Sequence, residues 1–185
     1  MTDLADKQFG ASLLELMAVV LIVAIMAVST MPLLQEQIAT REIDAIARRF
    51  IAHANFARNQ ALYLGQSILI SPRADNQWET GWLIQSSCGN KTSRAVCPSK
   101  NWFSQEQLFP VYFKGGGKGF SDPHSSQKGI LFNAAGAAKT GQGGFVANRL
   151  ILGHRRVSYL ERQLIMGSGG RWRICDPRTD SKGCK

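Results

Sequence analysis

"KQFGASLLELMAVVLIVAIMAVSTMP", Lys7 to Pro32, sets one carboxylate, Glu15, just inside an apolar run that is otherwise unbroken from Ala11 to Met31. The run is 21 residues long, close to the roughly 20 that an α-helix needs to cross a bilayer's hydrocarbon core. The reading is a helix that spans or inserts. An acid in such a segment costs on the order of 3 kcal/mol near the middle, less near an end, and persists where it finds a partner. The run supplies no cation. On the residues alone two readings of Glu15 stand: a hydrated position at the helix end, where its charge suits the positive end of the dipole, or a partner from outside the run. A secretory signal peptide fits poorly, because Asp3 and Asp6 outnumber Lys7 and the helical pattern continues past the run instead of ending in a cleavable loop.

Beyond Pro32, Ile43, Ile46, Ala47, Phe50, Ile51, Ala54 and Ala61 recur at spacings of three and four, while Arg41, Asp44, Arg48, Arg49, Asn55 and Asn59 take the opposite face. The spacing predicts an amphipathic helix from near Glu36 to Leu64, stopped by Gly65. After Gly65 the pattern changes to short β-branched and aromatic runs between polar or glycine-rich turns. Candidate strands are Ser67 to Ser71, Thr80 to Ser86, Leu108 to Phe113, Gly129 to Asn133, Asn148 to Leu152, Val157 to Ile165 and Arg171 to Cys175. The fold class is therefore α+β: one long helix, its outer half packed on a mainly antiparallel sheet. "FKGGGKGFSDPHSSQKG" and "AAGAAKTGQGG" read as loops.

With the apolar segment removed, 185 residues leave room for one globular domain. The formal charge is +9, from 22 Lys and Arg against 13 Asp and Glu. That balance suits polyanions or anionic surfaces. The four cysteines form two pairs of equal spacing, Cys88 with Cys97 and Cys175 with Cys184, neither at the CxxC spacing of zinc or thioredoxin sites. Outside the cytoplasm each pair can close a local loop and constrain the unfolded chain by roughly 2 to 3 kcal/mol. Crossed connectivity, stapling the tail back onto the domain, is the other arrangement.

A polar leader ending in Gly10, then Ala11-Ser12-Leu13-Leu14-Glu15, a long apolar helix and Pro32 resemble the class III signal of type IV pilins and type II secretion pseudopilins. The resemblance implies a leader at 1–10, a transmembrane and assembly helix at 11–31, a stalk helix at 32–65 that breaks from it near Pro32, and a β-rich domain at 66–185. It also implies cleavage after Gly10 by a prepilin peptidase, methylation of the new terminus at Ala11, and pairing of Glu15 with a neighbouring subunit's terminal ammonium. Ala11 stands where phenylalanine or methionine is usual, and the leader is acidic instead of basic. Within the domain, "WETGW" at Trp78 to Trp82, "LFNAAG" at Leu131 to Gly136 and "GRWRIC" at Gly170 to Cys175 are similar to the GspH/FimT family of minor pilins and pseudopilins. "GRWR" is similar to the GRxR signature of FimT-type minor pilins implicated in DNA binding during natural transformation. The implied location is the inner membrane, with the domain in the periplasm, then a pilus or pseudopilus. The implied partners are other pilins, the peptidase and non-specific double-stranded DNA.

If Arg171 to Ile174 form a strand, alternation puts Arg171 and Arg173 on one face and Trp172 on the other, toward the core or toward a base. The two guanidiniums then stand about 6.6 to 6.8 Å apart at their Cα atoms and are placed to grip successive phosphates. Basic residues crowd the chain from Arg149 onward: Arg149, Arg155, Arg156, Arg162, Arg171, Arg173, Arg178, Lys182 and Lys185. Arg178, Lys182 and Lys185 are secondary DNA candidates, and Lys114 and Lys118 join only if their loop turns that way. Three functions compete: a DNA-binding minor pilin, a structural pseudopilin whose basic face only keeps it soluble, and an adhesin for acidic polysaccharide or anionic lipid. An enzyme is not expected. "GGGKG" lacks the Walker spacing, and His53, His124 and His154 are scattered, with His53 expected on the helix surface. No cofactor or metal is expected.

Overall fold

The computed structural model describes residues 12–74, 77–87, 101–106, 108–115, 129–139, 148–167 and 169–184. Gly10, Ala11, Cys88, Cys97, Lys118, His124, Lys185 and most of the glycine-rich loop after Phe113 lie outside the described residues. Two compact units divide the chain, Met1–Ile38 and Ala39–Lys185.

Helix α1 runs Leu13–Leu64. In the first unit every residue from Ser12 to Ile38 is exposed except the half-exposed Glu36. Its most apolar stretch has a mean hydropathy of 2.5 and none of it is buried. Apolar surface of this kind is unfavourable in water at about 25 cal/mol per Å², so it requires lipid, detergent or another chain as cover. The helix is continuous through Pro32, where the resemblance implied a break. Proline removes one backbone donor and crowds the carbonyl four residues before it, yet the turns on either side keep their own bonds. Just before it, Ser29 and Thr30 turn their hydroxyls back to the carbonyls of Ile25 and Ala27.

In the second unit α1 buries Ala39, Ile43, Ala47, Phe50, Ala54, Ala57 and Ala61, a stripe at intervals of three and four. Five of these seven are alanines, so the strands approach the helix closely and Phe50 projects from it as the one large side chain of the middle turns. Ile46 and Ile51 pack at the margins of the core. The helix stops at Gly65, whose φ of 63° suits a residue without a Cβ.

Nine strands follow: β1 Ile68–Ala74, β2 Gln77–Ser86, β3 Asn101–Gln105, β4 Val111–Gly115, β5 Ile130–Phe132, β6 Ala138–Lys139, β7 Asn148–His154, β8 Glu161–Met166 and β9 Trp172–Cys175. They form two sheets, ordered β3-β2-β1-β5-β6 and β4-β7-β8-β9, with every pairing antiparallel. Trp78 and Trp82 on β2, Phe113 on β4 and Trp172 on β9 all meet the Phe50 ring edge-on, with centroids 5.1 to 5.8 Å away. Both sheets thus close on a single aromatic centre. Gly81, between the two tryptophans of "WETGW", has φ 97°, and a Cβ there would lie 2.0 Å from the Gln105 carbonyl oxygen. Only glycine lets β3 cross at that distance.

Several boundaries differ from the sequence reading. β2 starts at Gln77, three residues early, because its first turn pairs with β1 through Ala74 and Gln77. β4 starts at Val111, because Leu108 to Val111 closes a turn first. The expected Val157 to Ile165 strand begins only at Glu161, after a turn in which the Leu160 N–H donates to the Val157 carbonyl. β3 and β6 were not expected. β6 lies inside "AAGAAKTGQGG", where the Asn133 carboxamide accepts the N–H groups of Ala135 and Ala137 and turns the chain back onto β5.

Candidate nucleic-acid interface

β9 is the edge strand of the four-stranded sheet. Its register against β8 sets Met166 opposite Trp172, Ile165 opposite Arg173 and Leu164 opposite Ile174. Alternation along the strand therefore turns Trp172 inward, where it packs 5.5 Å from Phe50, and leaves Arg171 and Arg173 exposed. Trp172 is partly buried and packs against the core. The strand is entered from a tight turn in which the Gly167 N–H donates to the Arg171 carbonyl and the Gly170 N–H to the Gly167 carbonyl. Gly170 has φ 74°.

One further arginine shares this face. Arg149 on β7 stands opposite Ile165, which stands opposite Arg173, so Arg149, Ile165 and Arg173 form one cross-strand row. Two strand spacings put the arginine Cα atoms about 10 Å apart. Arg149 is exposed, and its guanidinium reaches the Cys184 carbonyl at 3.5 Å. The sequence reading counted Arg149 as charge only. The signal that could have found it is the alternation of "NRLIL", which opposes Arg149 to the buried Leu150 and Leu152.

The tail is shaped by a disulfide joining Cys175 and Cys184, with Cα atoms 5.6 Å apart. Within that loop both acids are engaged. Asp176 accepts the Arg178 N–H with one carboxylate oxygen and Arg162 Nη1 at 2.9 Å with the other. Asp180 accepts the Gly183 N–H at 2.8 Å. Arg178 and Lys182 are left exposed, with the Arg178 guanidinium 4.9 Å above the Tyr159 ring.

The remaining basic residues divide. Arg162 is buried and binds Asp44 of α1 through Nε at 2.7 Å while it holds Asp176, so Arg162 is not the solvated residue the pattern suggested, and Asp44 is half-buried and paired. Lys114 is paired with Glu161, and that hydrogen bond, then the carboxylate's charge, raises its pKa. It sits on β4, at the far edge of the sheet from β9, and does not extend the patch. Arg155 pairs with Glu79 and Arg73 with Glu106. Glu15 lies in the first turn of α1, exposed. Among the described residues no three His, Cys, Asp or Glu side chains are grouped as a metal site.

The expected surface role of His53 is overturned. Its Nδ1 accepts the Trp82 indole N–H at 3.0 Å, and its ring lies 4.0 Å from that of Phe103. Burial, then the charge of Arg49, lowers its pKa from the usual 6.5. The unfolded chain therefore takes up a proton near pH 6.5 while the folded one resists. Stability is held above that pH and lost as pH falls toward the lowered value. Thermal melts between pH 8 and pH 5 are expected to show this decline, and His53→Gln to flatten it. His154 is also buried; its Nδ1 accepts the Arg156 N–H, leaving Nε2–H to donate to Glu42 at 2.8 Å.

Residues 47–183 match the family described as Type II transport protein GspH. Among solved structures, the fold is similar to the type IV minor pilin FimU of Pseudomonas aeruginosa strain PAO1. One crystal form aligns with a TM-score of 0.52 and 15% identity over 75% of this chain and 91% of FimU. A second gives 0.50 and 16% over 73% and 94%. The minor pseudopilin EpsH of the Vibrio cholerae type 2 secretion system aligns at 0.49 and 12%, over 74% of this chain and 98% of EpsH. No curated protein sequence matches the chain. Identities this low speak to the fold alone, but the family match runs from the buried stripe of α1 through both sheets into the closed tail, and the chain therefore belongs to the GspH family of type II transport proteins.

Proposed function

We propose that this chain is a FimT-like minor pilin that binds DNA without sequence preference through its C-terminal face, in the service of DNA uptake. The observation that carries the reading is the exposed pair Arg171, at the entry to the edge strand β9, and Arg173 on it, beside a tail whose two acids are turned into its own backbone and Arg162. Two guanidiniums at alternate strand positions match successive phosphates, and Arg178 and Lys182 add charge beyond them. Lys185 remains a candidate by sequence. Supporting the pilin half of the reading are family membership and the exposed apolar segment of α1. On this proposal the chain is anchored in the inner membrane with its domain in the periplasm, is cut after Gly10 and methylated at Ala11, and assembles with other pilins through Glu15 and a neighbour's ammonium.

The test is a titration of the full-length chain in detergent micelles with duplex DNA at 50 and 200 mM salt. Phosphate contacts weaken steeply with salt, by about 0.9 in the log–log slope per contact. The variant Arg171→Gln with Arg173→Gln is expected to lose at least tenfold in affinity and about 2 units of that slope. Unchanged binding in the variant would move the site elsewhere. Absence of binding by the parent chain at 50 mM salt would favour the second reading, a structural pseudopilin of a type II secretion system, which the description of the matched family itself supports.

A further inference from the structure

Tyr159 is 54% exposed, large and aromatic, in the turn before β8. An exposed ring in a turn is unremarkable alone, but this one carries the Arg178 guanidinium over its face at 4.9 Å. Both partners are held. The Arg178 backbone N–H is fixed by the Asp176 carboxylate, Asp176 by Arg162, and the loop as a whole by the disulfide. The turn bearing Tyr159 is closed by the hydrogen bond between Leu160 and Val157, and Leu160 is buried.

The register places this pair relative to Arg171 and Arg173. β9 runs antiparallel to β8, with Cys175 opposite Gln163, so the chain leaving β9 passes the start of β8, where Tyr159 sits. The turn that carries the ring therefore lies beyond the Cys175 end of the strand that bears Arg173, with Arg171 at its other end. Four residue steps from Arg171 to Cys175 cover about 13 to 14 Å, the reach of roughly two nucleotides. A flat aromatic and a guanidinium at the end of a cationic track is the arrangement on which an unpaired base stacks. In duplex DNA the base faces are already occupied by their neighbours, whereas a single strand presents them.

We infer that Tyr159 with Arg178 forms a base-stacking platform, giving this face a preference for single-stranded over blunt duplex DNA. The inference rests on the proposed DNA-binding reading and extends it to the form of DNA engaged.

The experiment measures anisotropy of a labelled 12-nucleotide thymidine strand and of a blunt duplex, with the full-length chain in detergent micelles. Tyr159→Leu keeps apolar bulk and removes the stacking face. It is expected to weaken single-strand binding about tenfold, within the range one base on one aromatic supplies, with duplex binding changed less than twofold; Tyr159→Phe is expected to restore it. Equal losses for both DNA forms would make Tyr159 a prop for the tail and overturn the platform, as would no loss in either. Parallel measurement of Arg171→Gln with Arg173→Gln separates the two ideas. If that variant loses duplex binding while Tyr159→Leu changes nothing, the DNA interface stands and the platform falls. If the parent chain binds neither form, both fall.

Discussion

Phe50→Ala is expected to destabilise the domain by about 4 kcal/mol, the middle of the range for removing a buried aromatic ring. Phe50 has no solvent exposure, and its ring meets the edges or faces of Trp78, Trp82, Phe113 and Trp172, drawn from both sheets. The cavity left behind cannot close easily. On the helix, its neighbours along the buried stripe are Ala47 and Ala54, which have no side chain to swing into the space, and the tryptophans are held within paired strands. Thermal unfolding of the full-length chain in detergent, followed by near-ultraviolet circular dichroism, reads this directly, since the aromatic cluster supplies the signal. Phe50→Leu keeps most of the volume and should recover most of the loss. If Phe50→Ala melts within a degree or two of the parent, the two sheets are not closed on this ring.

Arg162→Ala is expected to cost about 3 kcal/mol, at the lower end of what breaking a buried ion pair costs. The Arg162 side chain is only 9% exposed and bridges Asp44 and Asp176, whose side chains are 34% and 25% exposed. Removing it leaves two carboxylates facing each other across the vacated space without a cation. Their partial contact with water places the cost at the low end of the range. The same variant should weaken duplex binding by a few-fold although Arg162 touches no ligand, because Asp176 orders the backbone that presents Arg178. Asp44→Asn, which keeps the shape and one hydrogen-bonding oxygen, should cost less than half as much. A neutral Arg162→Ala would show that the helix and the tail are held together by packing alone.

The helix was legible because burial follows a period that repeats: Ile43, Ala47, Phe50, Ala54 and Ala61 announce one face without reference to anything else. Ala39 and Ala57 belong to the same face but were not distinguished, since alanine is as acceptable outside as in. Strands with short aliphatic runs, such as Ile68 to Ile70 in β1 and Leu150 to Leu152 in β7, were equally plain. β3 was not, because "NWFSQ" draws its stability from pairing with β2 and from the absence of a Cβ on Gly81, neither of which is local. The outward placement of Arg171 and Arg173 follows from a period of two. The buried state of Arg162 does not follow from it: alternation puts Arg162 on the inner face with Leu164 and Met166, but its acceptors come from residues 118 positions earlier and from Asp176, 14 later. His53 misled for a similar reason, since its partners Trp82 and Phe103 lie on two strands that the helix sequence cannot foresee.

An edge strand is mechanically the weakest part of a sheet when pulled from its free end, since its hydrogen bonds then break one after another. Here a load on the tail reaches β9 at Cys175 but is shared. The Cys175–Cys184 bond gathers the loop into a single knot at the strand's end, and Arg162 passes tension from Asp176 sideways to Asp44 on α1. A polymer tugging at Arg178 or Lys182 thus strains several bonds in parallel, down to the domain's longest element, instead of unzipping its outermost strand.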